Sequence, residues 1–294
     1  MCAATSPSED VLRSRRNPLV RSLRQLHESR GRRSEARLLL EGTHLLQEAL
    51  RADIVPRDVL VTEAWRERHG HLLDDLTPAT TVRLATPEVV AAAATTAHPD
   101  GVVLTVPVPP PAGPPSAGSL LLVLERIQDP GNLGTLLRTA LAAGVEQVWL
   151  AGGADPFQPK VLRASSGAAL TLPLRQITPE ALGEHLAGLR RGGHRLVATA
   201  VPGADLSHAV VPYWRIDWTG PTALLLGNEA AGLSPERLDG ADVLVTVPHA
   251  PSVESLNVAV AAAPLLLERL RQSLSNASPP AGGRMPRIPR SSSR

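Results

Sequence analysis

The chain has 294 residues, 43% hydrophobic and 20% charged, with only 2% aromatic residues and a formal net charge of +2. This length predicts two domains, with cores built from Leu, Val and Ala. No apolar run reaches the ~18 residues that cross a bilayer, and the N-terminus lacks a signal-peptide pattern, so a membrane role is excluded and a cytoplasmic protein is expected. The single cysteine, Cys2, excludes an internal disulfide framework and a Cys-based zinc site, and the histidines show no ligand spacing.

Near-neutral net charge hides an uneven distribution. Between Val11 and Arg37 stand nine arginines, among them Arg13, Arg15, Arg16, Arg21, Arg24, Arg32 and Arg33, against only Glu28 and Glu35. A local excess of this size marks a surface that binds a polyanion. A merely solvated helix face is the bland alternative.

In chain order, Leu38–Leu40 and Asp58–Val61 are expected as strands, and Thr43–Arg51 and Pro87–Ala94 as helices. Six prolines and two glycines crowd residues 107–118, which can continue neither a helix nor a sheet interior. They predict a semi-stiff linker between an N-terminal domain, residues 1–106, and a second domain, residues 119–275. There the apolar run Leu120–Leu124 reads as a buried strand and Asn132–Ala143 as a helix. Val145–Leu150, Leu196–Val201, Ala223–Leu226 and Val243–Val247 read as further strands, and a long helix runs from about Ser255 to Ser273. Strands separated by helices imply an α/β fold with a mostly parallel sheet covered on both faces. The tail from 276 to 294, rich in Pro, Gly, Ser and Arg, is expected to be disordered.

Ligands of parallel α/β sheets bind at the carboxyl ends of strands, so three strand-to-helix junctions stand out. The first is Gln128-Asp-Pro-Gly-Asn132-Leu-Gly134 with Arg138 beyond it, where Asn132 reads either as a helix cap or as a ligand contact. In the second, an apolar strand runs through Leu226 into Gly227-Asn-Glu229, with Gly227 able to admit a ligand against the backbone. It lacks the glycine spacing of a dinucleotide site. The third is Val247-Pro248, a polar loop, and Glu254-Ser255-Leu256-Asn257 before an Ala-rich helix. Ser255 and Asn257 are both capping types.

Taken together, Gln-Asp-Pro-Gly-Asn-x-Gly-x-x-x-Arg-x-Ala, then Leu-Gly-Asn-Glu-x-x-Gly-Leu, then Val-Pro with Glu-Ser-Leu-Asn-Val-Ala-Val-Ala resemble the three motifs of the SpoU/TrmH family. The likeness spans Leu120 to about Leu270 and extends to Asp155-Pro-Phe-x-Pro-Lys160 and Arg163-Ala-Ser-Ser-Gly167-Ala. The N-terminal Asn17-Pro-Leu-Val-Arg21 and Leu39-Leu-Glu41-Gly42 look like the family's RNA-substrate-binding domain, similar to small ribosomal-protein folds. The resemblance implies a SPOUT-class RNA ribose 2′-O-methyltransferase that uses S-adenosylmethionine, with a deep trefoil knot, no metal and a homodimeric assembly. It assigns the cofactor to Gly227, Val247, Leu256, Leu226, Pro248 and Thr199. It gives the chemistry to Arg138, Asn132, Glu229, Ser255 and Asn257. In the family's third motif the proline usually precedes Met-x-Gly, where this chain has His249-Ala250-Pro251. A ribosomal RNA substrate is favoured by the N-terminal domain. Transfer RNA, or a non-catalytic RNA-binding role, are the alternatives.

Overall fold

The computed structural model describes residues 11–201, 206 and 209–276. Cys2 and the tail expected to be disordered lie outside the described residues, apart from Asn276.

The N-terminal part opens with α1 (Pro18–Gln25) and α2 (Ser29–Glu35). Pro18 presets the first helical φ, and the Asn17 carboxamide accepts from Leu19 N–H at 2.9 Å. There follow β1 (Arg37–Glu41), α3 (Thr43–Arg51), β2 (Asp58–Val61), α4 (Glu63–His69), β3 (Thr81–Leu84), α5 (Pro87–Ala93) and β4 (Val102–Pro107). The four strands form one sheet, β1-β4-β2-β3, in which β4 runs antiparallel to β1 and β2 while β2 and β3 are parallel.

The second part contains β5 (Leu120–Glu125), α6 (Pro130–Ala142), β6 (Gln147–Ala151), α7 (Pro159–Ala164), α8 (Ala168–Thr171), β7 (Leu174–Ile177), α9 (Leu182–Arg191), β8 (Arg195–Thr199), β9 (Val210–Pro212), β10 (Thr222–Leu226), α10 (Pro235–Asp239), β11 (Val243–Thr246) and α11 (Val258–Asn276). Its seven strands pair in the order β7-β6-β5-β10-β8-β11-β9, every described pair parallel. β7 and β9 are edge strands that the sequence reading missed. Both are short and only partly buried, so they lack the continuous apolar run that betrays a central strand.

Alternation along the central strands explains the two-sided burial. Leu120, Leu122 and Leu124 join Leu133, Leu136, Leu162 and Leu265 on one face, while Leu121 and Val123 join Leu186, Leu189 and Leu244 on the other. Each such side chain contributes about 1.5–3 kcal/mol when fully buried. The first of these clusters continues without a break into Leu38, Leu40, Leu45 and Leu46 of the N-terminal sheet, so the two halves share one core.

Three local expectations are corrected. Helix α6 starts at Pro130, not Asn132, and its cap is Asp129, whose carboxylate accepts from Asn132 N–H at 2.8 Å. The Asn132 side chain is thereby released for other contacts. The last helix starts at Val258, not Ser255. Asn257 caps it, its carbonyl oxygen accepting from Ala259 and Val260, and Ser255 stays in the exposed loop. Arg32, grouped above with the polyanion-binding arginines, is 5% exposed. Its guanidinium donates to the carbonyls of Leu26 and His27 and to Asp155, so it cannot offer a free surface charge. Arg13, Arg15, Arg16, Arg21, Arg24 and Arg33 are exposed. No helix among the described residues is long and apolar enough to cross a membrane.

Candidate active site

Because all seven strands run parallel, the carboxyl ends of β8, β10 and β11 lie together, and described residues that follow them line one cavity of about 460 Å³. That is within the roughly 300–1,000 Å³ typical of small-molecule sites. Thr199, Leu226, Gly227, Glu229, Val247, Ser255 and Leu256 all line it. Pro248 is exposed beside Val247, and Asn132, Arg138 and Asn257 are not part of the lining.

Asn132 and Asn257 nonetheless belong to the rim, because a polar chain ties the three junctions together. The Glu229 carboxylate accepts from the backbone N–H groups of Gln128 and Asp129, each at 3.2 Å, and from the Asn132 carboxamide at 3.1 Å. The Asn132 carbonyl oxygen in turn accepts from the Asn257 side chain at 2.8 Å. Burial works to raise the Glu229 pKa. The hydrogen bonds from Asn132, from its own backbone N–H and from Gln128 and Asp129 outweigh that effect and hold the carboxyl below its ordinary range. Glu229 is therefore an anion at neutral pH. The Asp129 carboxyl is also held down, first by the Asn132 N–H, with Lys160 3.7 Å away adding to it.

Arg138 stands apart. It lies on α6, six residues past Asn132, exposed and outside the cavity. Six helical residues turn the side chain about 240° from Asn132, so the two start from different faces of α6.

Gly227 has a reason different from the expected one. A Cβ there would overlap the carbonyl carbon of Gly232 and the amide nitrogen of Leu233. It is the returning strand of its own loop that fills the space, closed by Asn228 N–H to Gly232 O at 3.0 Å and Gly232 N–H to Asn228 O at 2.9 Å. Asn228, missed by the sequence reading, holds that loop. Its amide donates to Arg126 O at 2.9 Å, and its carbonyl oxygen accepts from Ala230 and Ala231. Glu125, also missed, is a carboxylate buried at the end of β5. It accepts from Ser234 N–H at 3.1 Å and faces Arg237 at 3.5 Å, fixing the start of α10 behind the cavity wall. The only signal for it was a charge ending an apolar run.

The altered third motif fits without distortion. Val253 N–H donates to Ala250 O at 3.0 Å, which makes Pro251 the second residue of a turn, the position its fixed φ favours. His249 Nδ1 pairs with Val247 O at 2.8 Å.

The lining fits a cationic nucleoside such as S-adenosylmethionine. It offers apolar walls, two carboxylates (Glu229 and Glu254) and neither lysine nor arginine. Such a surface suits a sulfonium and an adenine, and its carboxylates disfavour a pyrophosphate.

Comparison with known proteins agrees. Residues 119–267 match the SpoU rRNA methylase family, and residues 17–104 match an MRM3-like substrate binding domain. The chain is 44% identical over 269 residues to an uncharacterised tRNA/rRNA methyltransferase of Synechocystis sp., spanning 90% of this chain and 95% of the relative. It is 32% identical over 262 residues to the 23S rRNA (guanosine(2553)-2′-O)-methyltransferase RlmP of Bacillus subtilis, spanning 88% and 98%. An AdoMet-bound rRNA methyltransferase of Sinorhizobium meliloti superposes with a TM-score of 0.75 at 29% identity, covering 88% of this chain and 97% of that one. The chain therefore belongs to the SpoU rRNA methylase family and is an S-adenosylmethionine-dependent RNA methyltransferase.

Proposed function

We propose that the chain methylates a ribose 2′-hydroxyl of 23S ribosomal RNA, with residues 1–106 holding the RNA and residues 119–275 carrying the reaction, joined by the linker 107–118. The observation that carries this reading is the Glu229–Asn132–Asn257 chain, which joins all three motifs at the mouth of one cation-compatible cavity.

In this reading Gly227, Leu226, Val247, Leu256 and Thr199 hold the cofactor, with Pro248 flanking them. S-adenosylmethionine, when bound, supplies an electrophilic methyl group. The protein's part is to position the ribose and stabilise its oxygen as negative charge develops there. Asn132 and Asn257 orient the ribose, Ser255 lies at the cavity mouth, and Glu229 holds the first junction in place. Arg138 stabilises the developing alkoxide or a neighbouring phosphate. A guanidinium titrates above ~12, so charge stabilisation is the role its chemistry favours over proton acceptance.

Since Arg138 does not line its own cavity, the site is completed by a second copy of the chain, packed as a homodimer. The apolar residues Val260, Leu267 and Leu274, exposed at seven-residue intervals on α11, and exposed Leu141 on α6 support such an interface. A deep trefoil knot formed by the loops after β10 and β11 is part of the same reading. Arg13, Arg15, Arg16, Arg21, Arg24 and Arg33 supply the phosphate contacts.

The test is incubation of the purified chain with radiolabelled S-adenosylmethionine and separated RNA fractions, followed by mapping of the label. Label on a ribose of the large ribosomal RNA is expected. Label confined to transfer RNA would overturn the substrate assignment, and binding of the cofactor without transfer to any RNA would overturn the catalytic one.

A further inference from the structure

Two stretches between the first and second motifs, Asp155-Pro-Phe-x-Pro-Lys160 and Arg163-Ala-Ser-Ser-Gly167, take no part in the cavity. Asp155, Arg163 and Gly167 within them instead meet the N-terminal part. Asp155 accepts from Arg32 at 2.6 Å, with the Arg32 side chain 6% exposed. Arg163 reaches Glu41 at 3.3 Å and the Thr95 hydroxyl at 2.8 Å, with the Glu41 side chain 3% exposed. Gly167, at φ +82°, leaves room for α3: a Cβ there would stand 2.9 Å from the Glu48 Cβ. The linker is pinned as well. Val108 N–H donates to Ala36 O at 3.2 Å, Ala112 N–H to Leu174 O at 2.9 Å, and the Gln147 amide to Gly113 O at 3.2 Å.

We propose that Arg32–Asp155 and Glu41–Arg163 are positioning pairs that lock the substrate-binding and methylase parts into one rigid frame, so that the fixed span from the arginine arm to the cavity selects the methylated nucleotide. Two charged pairs at one seam, a shared apolar core and a linker bonded at both ends all resist hinge motion. Domains joined by a linker otherwise reorient unless the interface between them is large and apolar. The proposal rests on the RNA-methylating reading above. It goes beyond that reading in assigning site selection to the geometry between the parts and not to the catalytic loops.

The test uses the full chain carrying Asp155→Asn and Arg163→Ala together. These changes remove no apolar side chain from the shared core. Arg32 keeps its two backbone carbonyl acceptors, and Glu41 keeps the N–H and hydroxyl donors of Thr95 and Thr96. The carboxamide oxygen introduced by Asp155→Asn can still accept from Phe157 N–H, as the carboxylate does. Cofactor affinity by calorimetry and label position on 23S ribosomal RNA are measured beside small-angle scattering. The expected result is cofactor affinity within about threefold of the parent, a broadened scattering envelope, at least a tenfold fall in kcat/KM at the parent's nucleotide, and label at additional positions. Misplacement by about 1 Å costs up to a hundredfold. A mere loss of stability would lower labelling without spreading it. The proposal is overturned if the envelope is unchanged, if label stays at one nucleotide at the parent's rate, or if cofactor binding is lost. Failure of the parent chain to label any RNA would instead refute the functional reading, while the scattering result would still decide whether the pairs hold the frame.

Discussion

Replacing Gly227 with alanine places a methyl group where the backbone of Gly232 and Leu233 already stands. Backbone cannot rotate away as a flexible side chain would, so the Asn228–Gly232 bridge has to open. That bridge contains two hydrogen bonds, at 3.0 and 2.9 Å, each contributing about 0.5–1.5 kcal/mol net. Losing both displaces Leu233 and the Ala230–Ala231 segment that form the cavity wall, at about 1–3 kcal/mol of binding free energy, or roughly a 5- to 150-fold rise in Kd. Calorimetric titration with S-adenosylmethionine measures this directly. Gly232→Ala is the control. Gly232 adopts φ +67°, but no atom lies within 4 Å of a Cβ there, so it carries backbone strain without a collision and should bind more tightly than the Gly227 variant. Unchanged cofactor affinity in Gly227→Ala, with the fold intact by circular dichroism, would refute the assignment of this loop as the cavity wall.

Arg138→Ala should lower single-turnover methyl transfer by at least about a hundredfold, the scale of losing one preorganised charge contact, while leaving cofactor affinity nearly unchanged; a parallel loss of affinity would place Arg138 at the cofactor instead. Glu229 is held below its ordinary pKa of 4.5, so the stability its contacts contribute is present above that value and lost as pH falls through the depressed folded value. Glu229→Gln should therefore flatten the decline of the melting temperature in that acid range, as read by thermal unfolding across pH. Gly134 lies on α6 where a Cβ would sit 2.9 Å from the Ser165 amide nitrogen, so Gly134→Ala should destabilise the chain by about 1–3 kcal/mol in urea unfolding, with α7 displaced.

Much of this protein was open to a reader of residues alone, and the parts that were not have identifiable causes. Buried parallel strands announce themselves as apolar runs, so Leu120–Glu125 and Thr222–Leu226 were plain, whereas the edge strands Leu174–Ile177 and Val210–Pro212 were not. Capping chemistry misled by two or three residues twice. Asp129, Asn132, Ser255 and Asn257 are all competent caps, and only the geometry of the folded chain chooses among them. The junctions that hold Leu226, Gly227, Val247 and Leu256 stood out because strand ends in a parallel sheet converge at one edge, and the family resemblance singled out these residues within them. Glu125 and Asn228 escaped because a single polar residue beside an apolar run carries no periodic signal.

Charge density illustrates the division most clearly. That the first 37 residues bear a large arginine excess is a property of composition, and so is the scarcity of aromatic residues in the chain. Whether a given arginine meets solvent depends on packing: Arg24 is exposed, while Arg32, a few residues on, is sealed against Asp155, more than a hundred positions away. Local pattern determined the apolar central strands, the three strand-to-helix junctions and the resemblance to the family, because propensity and spacing act over a few residues. Tertiary structure alone decided that Glu229, Asn132 and Asn257 form one chain, that Arg138 lies outside the cavity lining, and that two domains share a core, because those facts depend on contacts between residues far apart in the chain.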